Sequence, residues 1–176
     1  MTADVQDSPD VAASPAADGF REAMRRFASG VTIVTTVDDG GEWRGFTASA
    51  FCSLSIAPPL ILVCQARTST SHGAFMRCER FLVNILGSQH EDLALRFAGS
   101  GGDKFTNTPF ERSRRTGLPI LPDALAAVGC SMRDRHDGGD HVIFVGSVYS
   151  CRVRDGAPML HFDSRFHGLA EPGGGR

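Results

Sequence analysis

A chain of 176 residues, 41% of them hydrophobic, with a formal charge of −2 is long enough for one domain with a sizeable core and too short for a comfortable second one. Its 18 Lys and Arg against 20 Asp and Glu form no concentrated basic block, so neither a nucleic-acid footprint nor an anionic-membrane patch is visible, and the longest apolar runs are too short to span a bilayer. Cys52, Cys64, Cys78, Cys130 and Cys151 are odd in number, widely spaced and without a Cys-x-x-Cys, which argues against a disulfide framework or zinc site and for small buried hydrophobes.

Met1–Asp18 is rich in Ala, Asp, Ser and Pro and lacks the basic start and apolar core of a signal peptide; it reads as a flexible tail, with the cytoplasm as the expected location. Phe20, Ala23, Met24 and Phe27 recur at helical spacing, with Asp18 as candidate cap and Gly30 as stop. Alternation of Thr with Val and Ile predicts a strand over Val31–Val37, a hairpin turn at Asp38-Asp-Gly-Gly41 and a second strand from Glu42 to about Ala50. Pro58-Pro59 ends the next loop before a strand at Leu60–Ala66, because neither proline can donate a ladder hydrogen bond. A polar loop at Arg67–Ser71 leads to a helix through Gly73–Arg77, a strand at Phe81–Leu86 and a helix at Gln89–Phe97, after which Gly99-Ser-Gly-Gly102 reads as a mobile loop. Pro109 to Pro122 reads as irregular, Leu125–Arg135 and Val142–Arg154 as long antiparallel strands, and residues 171–176 as a short tail. About seven β segments with few helices between them predict a mainly β fold with flanking helices, a closed or nearly closed antiparallel barrel. Helices do not follow each strand and no Gly-x-Gly-x-x-Gly turn opens one, which argues against a doubly wound sheet.

Between Arg44 and Ser71 small hydroxyl residues interleave with a buried strand. Thr47, Ser49, Ser53 and Ser55 are expected on one face of extended chain, with Ala48, Ala50 and Leu54 on the other. Hydroxyls beside the apolar Leu60–Val63 need partners, from across the sheet or from a ligand. Arg67-Thr-Ser-Thr-Ser-His72 at a helix start suits an anion, and equally a simple cap by Ser69 or Ser71. His141 follows a Gly138-Gly139-Asp140 corner: it is either a core histidine or a rim group where the glycines let a ligand approach. His90, His136, His161 and His167 show no metal-ligand spacing, and no metal is expected.

Three stretches agree in order and spacing with one family: Arg44 to Ser71, Phe81-Leu-Val-Asn-Ile-Leu-Gly-Ser-Gln89 followed by Phe97, and Gly139-Asp-His-Val-Ile-Phe-Val-Gly-Ser-Val148. Together, across roughly Phe20 to Leu169, the chain resembles the flavin reductase-like family, the FMN-binding split barrels that supply reduced flavin to two-component monooxygenases. The resemblance implies an antiparallel, Greek-key split β-barrel that takes FAD or FMN, with NADH or NADPH as hydride donor. It implies flavin contacts from Thr47, Ala48, Ser49, Ser53 and Leu54, a pocket lining from Gln65 and Ala66, and a phosphate site involving Ser69, Ser71 and Lys104, although a lone lysine is as readily a solvated one. His141 is implied over the flavin face where the nicotinamide docks, positioning it or donating a proton, with Arg165 and Phe166 on the same side. A homodimer and a separate flavin-dependent monooxygenase partner complete the expectation. The chain departs from the family at Ala50, where a second serine is frequent, and at Phe162 and Phe166, where tyrosines are common; stacking survives there but hydrogen-bond handles do not. The expected function is an NAD(P)H-dependent flavin reductase. The alternatives are a self-contained flavin oxidase or monooxygenase on the same barrel, and a flavin-binding module without turnover.

Overall fold

The computed structural model describes residues 15–169. In chain order its elements are α1 (Pro15–Arg25), β1 (Ser29–Gly30), β2 (Thr32–Val37), β3 (Trp43–Ala48), β4 (Phe51–Ser55), β5 (Leu60–Ala66), α2 (His72–Arg77), β6 (Arg80–Ile85), a 3-10 turn (Ser88–His90), α3 (Glu91–Ala98), β7 (Glu111–Arg112), β8 (Pro119–Ile120), β9 (Ala126–Gly138), β10 (His141–Val153), β11 (Met159–Phe162) and β12 (Arg165–Gly168). The tails expected at 1–18 and 171–176 lie outside the described residues, apart from 15–18, which belong to α1. Proline suits a first helical position and Ala16-Ala17 follow it, so the helix starts ahead of Asp18, the expected cap.

Seven strands form one antiparallel sheet in the order β3-β2-β6-β9-β10-β5-β4. Its two outermost strands, β3 and β4, are consecutive in the chain and separated only by Ser49 and Ala50. A flat sheet cannot hold its opposite edges two residues apart, so the sheet has to roll up. The corner is pinned where Cys64 N–H donates to Ala50 O at 2.9 Å, while β3 and β4 stay unpaired with each other and the barrel remains split. The expected run from Glu42 to Ala50 therefore ends at Ala48. Thr47, on β3, and Ser53, on β4, belong to strands paired with different neighbours, so the single row of hydroxyls read from the sequence is broken at the corner.

Both faces of the sheet are covered, and the period-2 alternation of β2 shows it: Val34 packs inside the barrel with Phe46, Val63, Phe75, Phe81 and Phe144. Its neighbour Ile33 joins Val31, Leu86, Phe97, Phe110 and Leu121 on the other side, under α3. Phe75, Phe81, Phe97 and Phe144 are fully buried, each contributing about 1.5–3 kcal/mol of apolar burial. Buried Asn84 is satisfied on both sides: it donates to Ile33 O at 3.1 Å and accepts from Leu121 N–H at 2.8 Å, tying the 109–122 segment to β6. That segment, expected to be irregular, carries the short β7–β8 pair.

The turns follow side-chain chemistry. Asp38 Oδ1 accepts from Gly40 and Glu42 N–H at 2.9 and 3.0 Å, closing the β2–β3 hairpin with Gly41 at φ +83°. Gly139, at φ +76°, allows the tight return from β9 to β10.

Candidate active site

The open end of the rolled sheet holds a cavity of about 260 Å³, walled by Phe46 to Ala50 at the β3–β4 corner, Cys64 to Ala66 at the end of β5, Thr68 to Thr70, Phe97 to Ser100 across the end of α3, Lys104, and His141 at the start of β10. A larger cavity of about 730 Å³ adjoins it, the two sharing Thr70 and Lys104; Gly41 to Gly45, Ser71 and Gly101 to Thr106 complete the second. Thr47, Ala48, Ser49, Gln65, Ala66, Ser69, Ser71, Lys104 and His141, all picked from the sequence, thus converge on one place. Ser53 and Leu54 do not: they are exposed on β4 and line neither cavity. Nor do Arg165 and Phe166, on β12; Phe166 packs beside His161 against the second core, ring centroids 5.8 Å apart.

Beneath the floor lies a hydrogen-bonded group centred on Gln65, whose side chain is buried at 1% exposure. Its amide donates to Ser71 Oγ at 3.0 Å and to Ser69 Oγ at 3.4 Å, the two hydroxyls are 3.0 Å apart, and His72 Nδ1 lies 3.3 Å from its carbonyl oxygen. Ser71 precedes α2 but makes no side-chain cap bond, so the capping reading of these serines gives way to a network that sets the shape of the loop. Thr47 Oγ1 donates to Ala94 O at 2.7 Å, which commits its proton to α3 and leaves it only lone pairs for a ligand. Cys64 stays a neutral thiol, its pKa raised by burial and then by nearby Cys52.

Lys104 is 9% exposed, and its Nζ donates to Phe97 O at 2.9 Å. No carboxylate pairs with it among the described residues; neighbouring Asp103 instead accepts from Phe105 and Thr106. Burial pushes the lysine amine below its usual range. A buried cation whose remaining donors have only cavity to face is poised for an anion.

His141 is half-buried at the rim, Nδ1 2.7 Å from Asp140 Oδ1. This contact holds the Asp140 carboxyl below its usual range and makes Nδ1 the donor, leaving Nε2 for whatever stands over the cavity. The turn is braced by Arg67, a residue that sequence reasoning left in a loop: its Nε donates to Gly139 O at 2.9 Å, its backbone N–H to Asp140 O at 2.9 Å, and its guanidinium pairs with Asp137. No local signal marks that role, which depends on the pairing of Ala66 with His141 across β5 and β10.

The residues fit a flavin: a cavity between the β3–β4 corner and the end of β5 for the ring, and a buried ammonium where it meets the wider cavity.

Comparison with known proteins agrees with that fit. Residues 24–170 match the family described as "Flavin reductase like domain". Actinorhodin polyketide dimerase of Streptomyces coelicolor is 44% identical over 156 residues, 88% of this chain and 88% of that one. The reductase subunit HsaB of a flavin-dependent monooxygenase from Rhodococcus jostii is 38% identical, over 85% of this chain and 76% of that one. Among solved structures, the NADH:FAD oxidoreductase SgcE6 of Streptomyces globisporus C-1027, in complex with NAD and FAD fragments, superposes with a TM-score of 0.84 at 30% identity, covering 90% of this chain and 96% of that one.

Proposed function

The chain belongs to the flavin reductase-like family, and from that premise we infer that it is an NADH-dependent flavin reductase, reducing FAD or FMN and supplying the reduced flavin to a separate monooxygenase. Lys104 carries this reading, because a buried ammonium that pairs with no carboxylate among the described residues is an incomplete ion pair that a flavin phosphate completes. A flavin bound here supplies the hydride-accepting ring, with the nicotinamide as donor. What the chain supplies is placement. The Thr47–Ser49 corner and the Gln65–Ala66 strand end are held by Ala94 and by the Ser69–Ser71 network, so the cavity keeps its width without a ligand. His141, steadied by Asp140 and by the Arg67 brace, presents Nε2 at the mouth, where it positions the nicotinamide. No side-chain nucleophile is required.

Oxidation of NADH that needs added free flavin supports the reductase. Turnover on tightly bound flavin without any addition indicates the self-contained oxidase, and no turnover indicates a binding module. Any of the last two outcomes removes this assignment.

The working form is a homodimer in this reading, supported by large apolar side chains that a lone subunit leaves in water: Phe20 at 64% exposure, Met24, Phe27, Leu54 and Ile56 at 87%. A monomer with full activity at micromolar concentration in sedimentation would refute it. The cytoplasm, where nicotinamide nucleotides circulate, is the proposed location; no described helix is long and apolar enough to cross a membrane.

A further inference from the structure

The β7–β8 hairpin roofs a third cavity, of about 580 Å³, on the outer face of the sheet, and no residue of its wall belongs to the two cavities at the open end. We propose that it binds a small organic acid, a carboxylate on a compact apolar body, at a site separate from the flavin.

Four arginines stand in its wall against one carboxylate, Glu111. Arg112, Arg114 and Arg115 come from the hairpin and Arg152 from β10, and none of the four pairs with a carboxylate among the described residues. Guanidinium groups gathered without partners repel one another, and a bound carboxylate reverses that cost. Their positions are fixed from below. Arg112 donates to Gly117 O at 3.0 Å and Arg152 to Leu121 O at 2.8 Å. The loop bearing Arg114 and Arg115 closes on itself, Gly117 N–H donating to Ser113 O at 2.8 Å and Ser113 N–H to Leu118 O at 2.9 Å, and Thr35 Oγ1 ties the hairpin to the sheet through Pro119 O at 2.6 Å.

The floor decides the class of ligand. Leu82 and Ala127 are buried there and pack with Leu118 and Ile120. An inorganic anion would leave that floor and most of the volume idle. No aromatic ring stands among the described residues of the wall, so nothing stacks a nucleobase. An acidic peptide would look for a free strand edge, whereas β7 and β8 are two residues each and pair with one another. An organic acid uses everything present: its body covers Leu82, Ile120 and Ala127 while the carboxylate takes paired N–H groups from the arginines. Arg112 also makes occupancy visible, because its guanidinium lies 5.7 Å from the ring centroid of Trp43, the one tryptophan in the chain.

Calorimetric titration of the flavin-free protein with cyclohexanecarboxylate and benzoate, their neutral amides, sulfate and a hexaglutamate peptide tests this, alongside Trp43 emission. The acids are expected to bind with dissociation constants below about 1 mM and to change the emission, while the amides do neither. The double variant Arg114→Ala/Arg115→Ala, altered at two exposed positions, should weaken the acids at least tenfold; should it fail to fold, Arg115→Gln is read for the same loss. Lys104→Met should leave their affinity within about twofold, since that lysine belongs to the other cavities. No binding of either acid, binding without an emission change, or binding undiminished by loss of the arginines overturns the site. Sulfate bound as tightly as the acids makes it an adventitious ion only, and hexaglutamate bound in their stead makes it a docking surface for a protein; both results overturn the proposal.

Discussion

Lys104 Nζ is held by Phe97 O at 2.9 Å, so the last turn of α3 delivers a cation to the point where the two cavities meet. Because the amine pKa is lowered by burial, the folded state binds fewer protons than the unfolded one. The charged group therefore costs stability at neutral pH, and that cost fades as pH rises through the lowered pKa toward 10.5. Lys104→Met is expected to raise the melting temperature of the flavin-free protein while weakening FMN binding by about 1.5–3 kcal/mol, the range for a hydrogen bond to a charged group. Thermal denaturation without ligand and FMN titration measure the two; equal FMN affinity in the variant would place the phosphate elsewhere.

His141→Ala is expected to slow flavin reduction or raise the KM for NADH while the flavin dissociation constant stays near that of the unaltered protein, since the ring stands at the rim. Asp140→Asn, which replaces the charged acceptor 2.7 Å from Nδ1 with a neutral amide, should show a smaller loss in the same step. Stopped-flow reduction of the flavin-loaded variants separates binding from reduction. Release of flavin with the reduction rate intact would make the imidazole a wall residue only.

Ser71→Ala removes a buried hydroxyl that accepts from Gln65 at 3.0 Å, a loss of about 0.5–1.5 kcal/mol felt in the loop and in flavin affinity. Ser53→Ala, on exposed β4, should leave the titration unchanged. Affinity lost with Ser53→Ala would bring β4 of a second copy against the flavin.

Gly146→Ala would set a methyl group 2.6 Å from Phe81 Cζ and 2.9 Å from Cys130 Cβ in the barrel interior. Overpacking there is expected to cost about 1–3 kcal/mol, read as a lower urea midpoint, with unchanged FMN affinity for the protein that remains folded.

Burial, and to a lesser degree Cys151, pushes the Cys130 thiol from 9.0 up to about 12. The folded thiol keeps its proton while the unfolded one loses it, so stability is intact below pH 9.0 and falls between 9.0 and about 12. The limiting slope is about 1.4 kcal/mol per pH unit. Urea titrations at neutral and alkaline pH should show a shallower decline in Cys130→Ala; an identical decline would assign it to other groups.

Elements with local causes were legible in the sequence. Asp38 with Gly41, and Gly138 with Gly139, announce their hairpins through side-chain acceptors and freedom of φ. The site residues near the β3–β4 corner and the end of β5 were legible through the family resemblance. What stayed hidden depends on register and long-range packing. Period 2 runs on past Ala48, so nothing local marks the corner at Ser49–Ala50 that sends Ser53 away from Thr47. The β11–β12 hairpin turns on Asp163 and Ser164 at φ +50° and +61°, without the glycine that signals such a turn. Phe20 and Met24 have helical spacing, but spacing does not say that the barrel leaves them uncovered.

The order of strands in the rolled sheet also governs how the chain reaches it. β2–β3, β4–β5 and β9–β10 pair neighbours in sequence and need only short loops to close, but β5 waits for β10, with Leu60 opposite Ser147. During synthesis Leu60–Ala66, Leu-Ile-Leu-Val-Cys-Gln-Ala, therefore stays unpaired along one edge until β10, some 80 residues further on, has followed it out of the ribosome. An apolar edge held open for that long is where a nascent chain adheres to others. Yield of soluble protein should accordingly depend on chaperone supply and translation speed more than the stability of the finished barrel suggests.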